Sequence, residues 1–119
     1  MFMRVDSNSG EASLYVAVVL FESSSSVPND CPLYEECFIL IQANSLEEAR
    51  EKALLYSHQQ ECSYQNQDKD TITWTCKQII DVNSVLYDDF GDITEIYARH
   101  FRNYEAYCQF EPFLSSEAL

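Results

Sequence analysis

Residues 14–22 read LYVAVVLFE, and residues 33–43 read LYEECFILIQA. These two stretches decide the fold. Both are rich in β-branched, aromatic and leucine side chains, and neither offers a regular polar face to solvent. Each therefore reads as a buried strand, apolar on both faces. Ser23, Ser24, Ser25 and Ser26 end the first, and Val27-Pro28-Asn29-Asp30 forms a loop by composition. A loop of this length makes the two strands antiparallel neighbours.

Ser45-Leu46-Glu47-Glu48 follows at once and has the form of a capping box. The Ser45 hydroxyl can accept from the Glu48 amide while the Glu48 carboxylate reaches back to the Ser45 amide. Glu47 and Glu48 also place negative charge in the first turn, where the helix dipole favours it. Leu46, Ala49, Ala53 and Tyr56 recur at helical spacing, with Leu54 and Leu55 widening the stripe. Glu48 and Lys52 form a favourable i,i+4 pair. The pattern predicts a helix over residues 45–61.

Residues 63–67 and 71–82 flank a polar turn at Asp68-Lys69-Asp70 and read as two further strands. In the second, Ile72, Trp74 and Cys76 fall on one side, and Thr71, Thr73, Thr75 and Lys77 on the other. Residues 88–92 make another turn. Residues 93–101 satisfy two patterns. Ile93, Ile96, Tyr97, His100 and Phe101 keep helical spacing, whereas alternation separates Ile96, Ala98 and His100 from Tyr97, Arg99 and Phe101. A short helix is predicted over 104–110, with a loose tail after Pro112. The fold class is therefore α+β: an antiparallel sheet of four to five strands packed on one long helix, in the order ββαβββ, plus a short C-terminal helix. A flexible N-terminus (1–12), a single domain (13–110) and a flexible C-terminal tail (111–119) complete the expected organisation.

Composition narrows function mainly by exclusion. The chain has 119 residues, 20 acidic against 7 basic side chains, and a formal net charge of −13. Nucleic-acid backbone and anionic membrane surfaces demand clustered Lys and Arg, so neither is an expected partner. An apolar share of 46% suffices for a core, which argues against disorder. Two Gly and three Pro argue against a multidomain chain or an all-β barrel. No run of about 18 apolar residues exists to span a membrane. The opening MFMRVDSNSG has no apolar stretch ahead of Asp6 and does not read as a secretory signal, so a cytoplasmic protein is expected. Cys31, Cys37, Cys62, Cys76 and Cys108 lack any CxxC pairing and read as reduced, mostly buried thiols. No metal or cofactor is expected.

Several short motifs carry a family resemblance. Tyr15-Val16-Ala17 and Leu20-Phe21-Glu22 frame the first strand, and Tyr34-Glu35-Glu36 enters the second. Ala43-Asn44-Ser45-Leu46-Glu47-Glu48-Ala49 starts the helix. Ser63-Tyr64, Trp74, Asp81-Val82 and Gly91-Asp92-Ile93-Thr94-Glu95-Ile96-Tyr97 follow in order. Together they resemble a small bacterial domain family of unknown function, DUF four-two-eight-eight, often met in cyanobacteria, over residues 14–102. Asp92-Ile93 departs from the family pattern, in which Gly is expected to run directly into Thr-Glu. The resemblance implies a cytoplasmic single-domain α+β protein, favours a strand at 93–101, and supplies no activity.

Candidate site residues are few. Glu35 and Glu36 are adjacent on a strand, so only one can face the helix-covered side; the simpler alternative is a pair of solvated carboxylates. General acid–base work needs two carboxyls with separated pKa values in a pocket, and the sequence supplies neither feature. Asp68, Asp70, Asp88, Asp89 and Asp92 read as solvated turn residues, because the twelve-residue calcium loop is missing. His58 suits the C-terminal end of the long helix. Arg99-His100-Phe101-Arg102 is the one basic cluster, best matched to the chain's own carboxylates. Tyr64, Trp74, Tyr97, Tyr104 and Tyr107 divide between core packing and interface anchoring.

The expected function is a non-enzymatic interaction or regulatory module, an adaptor or immunity-like protein that presents acidic and aromatic side chains to a basic protein partner. Glu35, Glu36, Trp74, Glu95 and Tyr97 form the expected binding set, with no catalytic residues. The alternative is a small-ligand binder or enzyme with a carboxylate–aromatic pocket between helix and sheet, lined by Glu35, Glu95 and Tyr97. A strand apolar on both faces also needs cover on both, which makes a homodimer a further expectation.

Overall fold

The computed structural model describes residues 12–86 and 89–111. The elements run β1 (Ser13–Ser25), β2 (Tyr34–Ala43), α1 (Leu46–Gln59), β3 (Cys62–Gln65), β4 (Thr71–Ser84) and α2 (Tyr104–Phe110). The strands form one antiparallel sheet in the order β2-β1-β4-β3. The fold is α+β, as the order of apolar runs predicts. Apart from Ala12 and Glu111, the expected flexible ends lie outside the described residues.

The run at 14–22 becomes the heart of β1, a central strand paired on both edges whose two faces are both covered, which is why it is apolar on both. Tyr15, Ala17, Val19 and Phe21 point toward α1 and join Ala43, Ala49, Ala53 and Val82 in one buried cluster. Ala49 and Ala53 have no exposed surface, and their small side chains let the α1 backbone lie close to the sheet. Val16 and Val18 face away from α1 and are still 1% and 0% exposed. Burying such a side chain contributes about 1.5–3 kcal/mol.

β4 keeps its apolar residues on the α1 side through two irregularities. The register passes from Val18↔Asp81 to Val19↔Ile79, and from Leu20↔Gln78 to Phe21↔Cys76. Ile80 and Lys77 are the extra residues. Each such bulge resets the alternation, so Trp74, Cys76, Ile79 and Val82 all pack against the α1-side cluster despite uneven spacing.

Five expectations need correction. The run at 33–43 is not a buried strand: β2 is an edge of the sheet, and Phe38 and Leu40, on the face opposite α1, are 59% and 50% exposed. Residues 93–101 form neither strand nor helix. They cross the sheet face opposite α1, tied by side chains to β4 and β2, and lie along no sheet edge where a ladder could form. The buried stripe of α1 is Ala49, Ala53 and Ser57, while Leu54 and Leu55 are 47% and 62% exposed. At 100° per residue those two leucines turn away from the sheet, and Ser57 is accommodated by donating to the Ala53 carbonyl at 2.7 Å. The cap of α1 is also displaced: Ser45 Oγ accepts from the Glu48 amide as expected, but the Glu48 carboxylate accepts from the Asn44 amide. Finally, the five cysteines are unpaired and none is fully buried; Cys31 and Cys62 are exposed.

Candidate functional site

The register places Phe38, Val18 and Asp81 in one row across β2, β1 and β4, on the face opposite α1. Tyr97 lies over this row. Its hydroxyl donates to Asp81 Oδ2 at 2.9 Å, and its ring sits 5.9 Å from that of Phe38, tilted by 51°. One contact reaches β4 and the other reaches β2, so a single side chain spans the covered strand between them. Burial raises the Tyr97 hydroxyl pKa above its usual value, and the bond to Asp81 and the charge of that carboxylate raise it further.

In the next row Glu36 lies across from Leu20. Arg99 Nη1 approaches Glu36 Oε2 at 3.9 Å with both side chains substantially exposed, so the pair contributes little. It places Arg99 of the basic cluster beside a sheet carboxylate. His58, in the last turn of α1, lies 3.5 Å from Glu61 instead.

The sheet divides the expected binding set. Glu36 and Tyr97 share the face opposite α1, and Glu95 is exposed on the same crossing segment. Glu35 lies across from Phe21, on the α1 side. There it raises the pKa of the Cys37 thiol, burial being the larger cause. Trp74 is partly buried against the α1-side core. Glu35 and Tyr97 thus lie on opposite faces, and no helix–sheet pocket brings them together.

An open groove of about 600 Å³ follows the outer edge of β2, lined by Phe38, Ile39, Leu40, Ile41, Gln42, Lys52 and Tyr56. A smaller one of about 260 Å³ lies between the end of β4 and the crossing segment, beside Asn83, Leu86 and Tyr97. Among the described residues, no three His, Cys, Asp or Glu side chains are grouped to hold a metal ion. Phe38 and Asp81 belong to the site but escape sequence reading. Phe38 sits in a run apolar on both faces, and the bulges of β4 erase the alternation that would assign Asp81 a face.

The chain is a small α+β domain with a long helix on one sheet face and its own irregular segment on the other. Its residues 14–98 match the family described as Domain of unknown function (DUF4288), and the chain belongs to that family. The match takes in all four strands, α1 and Tyr97, and ends before Arg99. No curated protein and no solved structure matches the chain. No helix among the described residues is long and apolar enough to cross a membrane.

Proposed function

We propose that this protein is a non-enzymatic interaction module of the cytoplasm, binding a basic protein partner through the sheet face that Tyr97 crosses. The observation that carries the reading is the composition of that face. Exposed glutamates at Glu36 and Glu95 accompany the exposed ring of Phe38 and the partly buried ring of Tyr97 packed on it. Aromatic side chains give an interface its buried anchors, while surrounding anions select and steer a cationic partner. The net charge of −13 extends the same attraction over the molecule. Unpaired thiols at all five cysteines suit a reducing compartment.

Affinity capture from native lysate tests the reading, with wild-type chain and a Phe38→Ala/Glu36→Lys variant as parallel baits. Wild type is expected to retain a basic protein at low and moderate salt, and the variant to lose it. Failure to retain any protein at either salt, or equal retention by the variant, refutes the proposal.

A further inference from the structure

We propose that the outer edge of β2 is a self-pairing edge, and that two copies of this chain join there into one continuous eight-stranded sheet. This goes beyond the partner-binding reading: it uses the backbone edge of β2, which shares Phe38 and Glu36 with the partner-binding face, and its readout is the mass of the chain alone.

The phase of the β1–β2 ladder fixes which backbone groups face outward. The Ser23 amide donates toward the β2 side, to the Leu33 carbonyl at 2.8 Å. The Ser26 amide donates to Thr71 and the Leu14 carbonyl accepts from Val85, both toward β4. Odd-numbered residues of β1 therefore turn to β2 and even-numbered ones to β4. By the register, Glu35, Cys37, Ile39 and Ile41 spend their backbone groups on β1, while those of Glu36, Phe38, Leu40 and Gln42 turn away from it. The Gln42 carbonyl agrees: it accepts from Lys52 Nζ at 2.8 Å. Among the described residues no strand pairs with the remainder of this edge.

Such an edge invites another strand, and this one carries none of the usual deterrents at its centre. Phe38 and Leu40 are 59% and 50% exposed, and no Pro or charge interrupts Cys37–Phe38–Ile39–Leu40–Ile41. The groove along it is lined by consecutive residues of the strand itself, the shape an added strand fills.

A second copy fits this edge because the sequence is complementary to itself about Ile39. Antiparallel pairing on a two-fold axis through Ile39 sets Phe38 against Leu40 of the second copy, and Cys37 against its Ile41. Glu36 then meets Gln42 and Glu35 meets Ala43, so the carboxylates of the two copies stay apart. They arrive instead beside Lys52, the one cation lining the groove. Phe38, Leu40 and Glu36 are also the residues whose backbone groups turn outward to exchange in that register, while at Gln42 the carbonyl is already taken by Lys52. A slip of two residues that sets Phe38 against itself puts Glu36 against Leu40, losing both the apolar pairing and the charge match.

Light scattering on the full chain, from about 5 μM to about 500 μM, is the first test, since dimer population depends on protomer concentration. The expected mass at the upper end is twice the 13.8 kDa of one chain. A 13.8 kDa particle throughout overturns the proposal and leaves the edge to a different chain. Leu40→Pro removes an outward amide, and Phe38→Lys sets a cation on the exposed edge. Each is expected to raise the dimer dissociation constant by about tenfold or more, with the far-ultraviolet spectrum confirming that the variant folds. A dimer indifferent to Phe38→Lys rules out this edge. The register has its own readout: Ile41→Cys is expected to cross-link to native Cys37 of the second copy under mild oxidation, because paired residues without ladder hydrogen bonds stand about 4.5 Å apart at Cα. Peptide mapping that finds no bond between Cys37 and position 41 refutes the register.

Discussion

The Tyr97 hydroxyl and the Asp81 carboxylate meet at 2.9 Å, and this bond holds an irregular segment across a sheet face that α1 leaves uncovered. Tyr97→Phe keeps the ring on Phe38 and removes only the hydroxyl. It is expected to lower unfolding stability by about 1 kcal/mol in urea titration. Tyr97→Ala also loses the ring and is expected to cost more. Amide exchange at Val16 and Val18 should change little in either variant, since the β1 ladder is intact; faster exchange there would mean the segment supports the sheet itself.

The same bond makes an alkaline prediction. The folded Tyr97 pKa is raised, so its stabilisation is complete below the ordinary tyrosine pKa near 10 and is lost as pH rises through the folded value. Ultraviolet titration at the phenolate band is expected to lose a late-ionising tyrosine in Tyr97→Phe. An unchanged titration curve would contradict the assignment.

Much of this architecture is legible in the residues. Runs 14–22 and 33–43 announce strands because β1 must be apolar on both faces, and Ser45-Leu46-Glu47-Glu48 announces α1 through its cap. The short helix expected at 104–110 is also found there. The crossing segment is not legible. Its position rests on two contacts from one tyrosine, and periodicity reads faces of regular elements rather than single anchors. The bulges at Lys77 and Ile80 are equally silent, because an extra residue in one strand leaves no mark until its partner is known. Glu35 and Glu36 show the opposite case: alternation alone separates them, and the sheet does so.

Glu61 ends the β3–β4 ladder by substituting a carboxylate for a strand carbonyl. It accepts from the Cys76 amide at 2.9 Å, just beyond the last β3 pairing. That bond is the main cause lowering its pKa below the usual 4.5, and His58 adds to it. The folded value is depressed, so the contribution is present above about pH 4.5 and fades as pH falls through the folded pKa. Glu61→Ala is expected to reduce exchange protection of the Cys76 amide at neutral pH. Wild-type protection at that amide should weaken upon acidification while Val19 stays protected. Equal protection in both chains would show that the carboxylate is not the acceptor in solution.

Ser45 tests the start of α1 in isolation. Its side chain accepts from the Glu48 amide at 3.0 Å, satisfying one donor that the helix cannot. Ser45→Ala is expected to cost about 1 kcal/mol, and Ser45→Asp to recover most of it. Chemical denaturation of the three chains checks this. A loss in Ser45→Ala that Ser45→Asp fails to restore would assign the effect to something other than capping.

Cys37 offers a chemical reading of the β2 strand. Its thiol pKa is raised by burial first and then by the charge and hydrogen bond of Glu35, whereas Cys31 and Cys62 are exposed. The thiolate is the reacting species, so at pH 8 Cys37 is expected to be alkylated several-fold more slowly than those two. Glu35→Gln removes the nearby anion while leaving the strand, and is expected to bring the Cys37 rate part of the way up without altering Cys62. Time-resolved peptide mass mapping follows each thiol separately. A Cys37 rate equal to that of Cys62 in wild type would mean that β2 opens often enough to erase the shielding, and the edge would then be too mobile to hold a fixed register with any partner.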